Sequence, residues 1–99
     1  MARSSGPVFH PGHHELHGIT VVVETTGART YVGRFDNQDE HGVHLLNVAV
    51  HDGATPSPSR EEFLRRSATF GVRIEHQHVL VPDGEVVRIS RLDDVGAGR

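Results

Sequence analysis

Histidine is the residue type whose number and spacing in this sequence are most suited to chemistry. Nine of the 99 residues are histidine, and imidazole both binds transition metals and titrates near neutral pH. His13 and His17 would share one face of a helix, and His76 and His78 would share one face of a strand. The spacing therefore predicts metal ligands at these four positions. The alternatives are solvated or hydrogen-bonded histidines, or an interface that responds to pH.

Several kinds of catalytic chemistry find no support in the sequence. The absence of cysteine excludes disulfides, thiolate nucleophiles and cysteine-ligated zinc. His14-Glu15 begins a zinc-protease pattern, but Gly18 stands where its second histidine belongs. The sequence also contains no P-loop, nucleophile elbow or dinucleotide fingerprint. We therefore expect no catalytic residues, no cofactor and a protein that is not an enzyme.

Length and charge restrict the choice of partners. A chain of 99 residues forms one domain. Its net charge of −3 lowers the expectation of nucleic-acid binding, because phosphate contacts supply most non-specific affinity. No apolar run approaches the ~20 residues of a membrane span, and the first ten residues lack a signal-peptide core. We expect a cytoplasmic protein without a membrane partner.

The hydrophobic pattern predicts the elements that would position the histidines. Gly33 in the middle of a strand indicates a bend or bulge. Propensity alone makes Asp83-Gly84 a tight hairpin turn. Five strands are predicted, over residues 19–25, 30–36, 43–51, 72–81 and 85–90. Residues 1–18 form an N-terminal arm that could hold a short helix, residues 19–92 the β domain, and residues 93–99 a disordered tail.

A helix is predicted between the third and fourth strands. Ser59 and Glu62 make a capping box, which predicts a helix over residues 60–69. Phe63, Leu64 and Phe70 are expected to point inward from it.

Two stretches of the chain resemble a known family. Residues 16–48 resemble the first Sm motif, with Gly27 at a turn, Tyr31 and Gly33 in the next strand, and an aspartate loop. Residues 78–92, HVLVPDGEVVRISRL, resemble the second Sm motif. On these motifs the chain is identified as a divergent, bacterial-type member of the Sm-like (LSm) family.

The resemblance implies a fold and an assembly. The fold is mostly β: a small, strongly bent five-stranded Sm-like barrel with a short N-terminal helix and a helical insertion between strands 3 and 4. It implies a short helical turn, rather than a hairpin, before strand 5. It also implies a homo-oligomeric ring of six or seven subunits, closed by pairing strand 4 of one subunit with strand 5 of the next.

The resemblance also implies where RNA would bind. In the family, an Asn before strand 3 and an Arg-Gly pair before strand 5 hold a base, whereas this chain has Gly42 or Val43 at the first place and Pro82-Asp83 at the second. We therefore expect a non-catalytic, ring-forming binding module with an altered nucleotide pocket. The alternatives are a His-rich metal-binding assembly, or a scaffold for a protein partner recognised by residues 52–71. The candidate RNA-binding residues are Asp39, His41, Gly42, Pro82, Asp83 and Gly84.

Overall fold

A computed structural model describes residues 16–55 and 58–96 of the chain. These residues contain one antiparallel sheet with the strand order β4-β3-β2-β1-β5. The strands are β1 (Thr20–Thr25), β2 (Arg29–Asp39), β3 (Gly42–Asp52), β4 (His76–Pro82) and β5 (Val86–Arg91). The mostly β fold class is confirmed. The two outer strands, β4 and β5, do not pair with each other, so the sheet is open and the predicted barrel closure is not seen.

Both faces of the sheet are covered near its centre. Val21, Val22 and Val23 follow one another in β1 and are all buried, although successive side chains of a strand point to opposite faces. Val21 and Val23 belong to a core with Phe35 and Leu45, whereas Val22 belongs to a second core. A run of β-branched residues therefore fits β1, because no face of this strand is exposed to water.

Two helices cover the second face. Helix α1 (Arg60–Phe70) and helix α2 (Leu92–Gly96) pack against each other and against the central strands. The side chain of Ser59 accepts a hydrogen bond from the N–H of Glu62, as predicted, at 3.1 Å. Leu64 is buried, but Phe70 is 81% exposed, so its predicted inward orientation is wrong.

The C-terminal end of the described chain differs from the sequence prediction. Residues 93–96 were expected to begin a disordered tail, but they belong to α2. Leu92 is buried and Val95 packs against the second core. Leu92 and Val95 are three positions apart, so both lie on one face of the helix. The segment is too short for this spacing to stand out in the sequence. Residues 97–99 and the predicted arm as far as residue 15 lie outside the described residues.

The connection between β4 and β5 is not a hairpin. Asp83–Glu85 form one turn of 3-10 helix, after which β5 pairs with β1. The helical turn implied by the resemblance is therefore present, and the hairpin expected from Asp83-Gly84 is wrong. The predicted fourth strand also begins later, at His76 rather than at residue 72.

The predicted irregularity at Gly33 is confirmed. The pairing of β2 with β3 shifts register between Val32 and Arg34. A Cβ at Gly33 would lie 2.9 Å from Cγ2 of Val48, so the sheet packs too closely there for a larger residue.

No helix within residues 16–55 and 58–96 has the length and apolar character needed to cross a membrane.

Candidate functional site

The two loops predicted to bind RNA lie side by side. The turn between β2 and β3 meets the 3-10 turn before β5, because Gly42 is the register partner of Pro82. The N–H of Asp83 also donates to the carbonyl of His41 at 3.1 Å. The structure thus brings together the six predicted residues: Asp39, His41, Gly42, Pro82, Asp83 and Gly84.

Asp39 and Gly42 have structural roles in this pair of loops. Oδ1 of Asp39 accepts the N–H of His41 at 2.9 Å and that of Gly42 at 3.3 Å. The N–H of His41, followed by the side chain of His44, holds the pKa of Asp39 below its usual range. Gly42 has a φ of +145°, and a Cβ there would lie 2.0 Å from the carbonyl oxygen of Val81. Only glycine fits at this position.

The loop surface is acidic. Asp39, Glu40, Asp83 and Glu85 supply four carboxylates, and neither loop contains an arginine. His41 is its only basic residue, with Nε2 3.7 Å from a carboxylate oxygen of Glu40. Carboxylates repel the phosphates that provide most nucleic-acid affinity. RNA binding here stays a prediction, and the electrostatics of the loops oppose it.

A chain of polar side chains runs from this loop onto the neighbouring strands. Nε2 of His44 lies 3.0 Å from Oδ2 of Asp39, and Nδ1 of His44 lies 3.3 Å from Nε2 of His78. The two imidazole rings are stacked, with their centroids 5.4 Å apart. Because a carboxylate only accepts hydrogen bonds, Nε2 of neutral His44 carries the proton and Nδ1 is left as an acceptor. Asp39 therefore fixes the tautomer of His44.

Among the described residues, the predicted metal ligands His76 and His78 make no contact with each other. His13 lies outside the described residues, and Nδ1 of His17 lies 2.7 Å from the carbonyl oxygen of Asp36. His78 contacts His44 on β3, whereas the side chain of His76 has no hydrogen bond or ring contact with a described residue. In the described part of the chain, no group of three or more His, Asp or Glu side chains is arranged to hold a metal ion.

His44 is the residue that the sequence prediction missed. His44 contacts Asp39, which is five residues away in the sequence, and it contacts His78, which is 34 residues away. His44 is opposite Leu80 and His78 is opposite Leu46 in the register of β3 and β4. The two histidines are therefore diagonal neighbours, and only the register shows this.

A second feature, a groove, lies further along β3, beneath α1. It has a volume of about 480 Å³ and is lined by residues that include His51, Phe63, Phe70 and Arg73. Nε2 of buried His51 donates to the carbonyl of Pro58 at 2.7 Å, and its ring lies 5.3 Å from that of Phe63. His51 thereby ties β3 to the loop before α1.

The outer strands of the sheet expose apolar side chains. Leu80 on β4 is 40% exposed and Val87 on β5 is 59% exposed. Ile74, just before β4, is 55% exposed. The sequence of β4, HQHVLVP, contains no Asp, Glu, Lys or Arg.

Comparisons with known proteins do not support the assignment to the Sm-like family. No protein-family model matches the chain, and no curated protein matches it. Among solved structures, the fold is similar to that of a chain in the crystal structure of the NatC complex bound to CoA. The two chains are 20% identical with a TM-score of 0.53, over 87% of this chain and 88% of that chain. The family assignment made from the two motifs is therefore wrong.

The expectation that the protein is not an enzyme is corrected by the same comparison. The similar chain comes from a complex that binds CoA, so a fold of this kind gives no ground for excluding an enzymatic role. At 20% identity the likeness describes the fold alone.

Proposed function

We propose that this protein is an assembly module, which joins copies of itself by pairing β4 of one copy with β5 of the next. The observation that carries the proposal is the open sheet, whose two outer strands both expose large apolar side chains. Unpaired strand edges readily add another strand, and proteins that stay monomeric usually protect such edges. The β4 edge has no charged residue to protect it.

The two edges differ in chemistry, which favours pairing between unlike strands. β4 carries two histidines, whereas β5 carries Arg88 and Arg91. A contact between different surfaces is heterologous, and repetition of it gives a closed ring or a filament. Ring closure would leave no free edge in the assembly. The number of six or seven subunits was implied only by the family resemblance and is not part of this proposal.

Two further observations support assembly over RNA binding. The loops predicted to hold RNA contribute four carboxylates and no arginine. The structurally similar chain, which is nearly the same length, belongs to a multi-protein complex. A module that acts by joining chains agrees with both.

Charged substitutions on each edge test the proposal. Leu80→Lys places a cation on β4, where it would face the arginines of a neighbouring β5. Val87→Lys places one on β5. Each variant should sediment as a smaller species than the wild type. Because each retains one intact edge, an equimolar mixture of the two should form a heterodimer.

Phe70→Lys is the matched control, because it makes the same change at an apolar residue that is 81% exposed on α1. It should leave the assembly intact. Disruption by Phe70→Lys but by neither edge variant would contradict edge pairing. Disruption by Leu80→Lys alone, without rescue in the mixture, would instead indicate a two-fold pairing of β4 with β4.

A further inference from the structure

We infer that His44 and His78 bind a divalent transition metal ion, with Asp39 holding His44 in the orientation that binding requires. The inference concerns the face of β3 and β4 that carries His44 and His78, and it does not depend on the assembly proposed above. It rests on two observations: the distance between Nδ1 of His44 and Nε2 of His78, and the hydrogen bond from Nε2 of His44 to Asp39.

The spacing of the two nitrogens fits a shared ion. Nδ1 of His44 and Nε2 of His78 are 3.3 Å apart. Two imidazole ligands at a usual zinc–nitrogen distance of about 2.0–2.1 Å and a tetrahedral angle have nitrogens about 3.3 Å apart. The two rings are stacked, so binding requires them to rotate until both lone pairs point to one position between them and solvent.

The remaining nitrogen of His44 is held as it is in metal sites. Ligating histidines almost always donate their other N–H to a carboxylate or carbonyl, which fixes the tautomer and makes the ligand nitrogen more basic. Nε2 of His44 does this to Oδ2 of Asp39 at 3.0 Å. Asp39 is in turn anchored by the N–H groups of His41 and Gly42. Asp39 thus orients the imidazole of His44 toward the proposed ion.

Accessibility and proton balance also allow binding. The His44 side chain is 22% exposed and that of Asp39 38%, while His78 lies on an outer strand and is exposed. In the metal-free hydrogen bond, Nε2 of His78 carries the proton that Nδ1 of His44 accepts. On binding, this proton moves to Nδ1 of neutral His78, and water fills the remaining positions on the ion. Imidazole ligands suit zinc, copper and nickel.

Zinc titration of the full-length chain tests the site. To exclude any contribution from the N-terminal histidines, His10, His13 and His14 are replaced by Gln in every sample, and this triple variant is the reference protein. Calorimetry at pH 7.5 should then show about one zinc ion per chain. His44→Ala and His78→Ala should each weaken binding at least about 10-fold, and Asp39→Asn about 10-fold. His76→Ala, the matched control on β4, should have little effect.

A spectroscopic measurement separates this site from other binding. Electron paramagnetic resonance of the copper(II) complex should show two nitrogen ligands in the reference protein and one in His78→Ala. Circular dichroism in EDTA confirms that each variant is folded. Absence of zinc binding by the reference protein would overturn the inference. So would an unchanged affinity in His44→Ala, or a loss in His76→Ala as large as that in His78→Ala.

Discussion

At the scale of single residues, the loop between β2 and β3 depends on one glycine and one aspartate. Gly42 lets β3 approach β4 so closely that a Cβ would overlap the carbonyl of Val81. Asp39 caps the turn through two backbone N–H groups and reaches His44. The family resemblance makes these residues candidate RNA ligands, yet their contacts give them structural roles.

Gly42→Ala should destabilise the protein by about 3 kcal/mol, because the new methyl group combines backbone strain with overpacking. Gly84→Ala is the matched control, since a Cβ there would have no neighbour within 4 Å. It should change the free energy of unfolding by no more than about 0.5 kcal/mol. Urea denaturation of both variants measures the difference. Equal effects would show that the close approach to Val81 does not constrain the loop.

Asp39→Asn should lower the melting temperature at neutral pH, because the charged carboxylate accepts hydrogen bonds that hold its pKa below the usual range. A depressed pKa in the folded state contributes stability above the unfolded pKa of about 3.9, and this contribution is lost as pH falls through the folded pKa. The difference between wild type and variant should therefore disappear in strong acid. Asp36→Asn serves as the control, because no side-chain hydrogen bond of Asp36 is present among the described residues. A difference that is independent of pH would contradict the role of the Asp39 charge.

At the scale of elements, helix α1 is part of the core rather than a loosely attached insertion. Leu64 is 7% exposed, and it packs with Val22, Val32 and Leu92 in the second core of the sheet. The ion pair between Arg60 and Glu24, at 3.0 Å, links α1 to β1. Glu62 pairs with Arg65 and Arg66, so the exposed face of α1 carries mixed charge.

Leu64→Ala should therefore cost about 2–4 kcal/mol in the free energy of unfolding, as expected for a buried leucine. Phe70→Ala on the same helix should cost no more than about 0.5 kcal/mol, because Phe70 is 81% exposed. Thermal or chemical denaturation of the two variants compares them directly. A larger loss of unfolding free energy for Phe70→Ala than for Leu64→Ala would contradict the conclusion that α1 packs through Leu64.

The elements that could be predicted from sequence are those with strong local signals. Segments rich in β-branched residues indicate the strands, Ser59 indicates the start of α1, and Gly33 indicates the bulge in β2. Contacts that depend on register could not be predicted, and the pair of His44 and His78 is the clearest example. Only the resemblance places the loops around Asp39 and Asp83 together, and its family assignment is wrong although the helical turn that it implies before strand 5 is present.

At the scale of the whole molecule, the open sheet is the feature with the greatest consequence for function. Burial on both faces stabilises β1, β2 and β3, whereas β4 and β5 each leave one edge unpaired within the described chain. A domain of 99 residues buries a modest share of its surface. Edge pairing between copies would bury more apolar surface and satisfy the free backbone groups together.

The mass of the wild-type protein in solution tests this account most directly. Sedimentation velocity, across a wide range of concentration and in the presence of EDTA to remove any metal-dependent association, gives the number of 10.9 kDa chains per particle. We expect a discrete species of several chains that persists on dilution. A single species of monomer mass at every concentration would contradict the proposal that this fold is an assembly module.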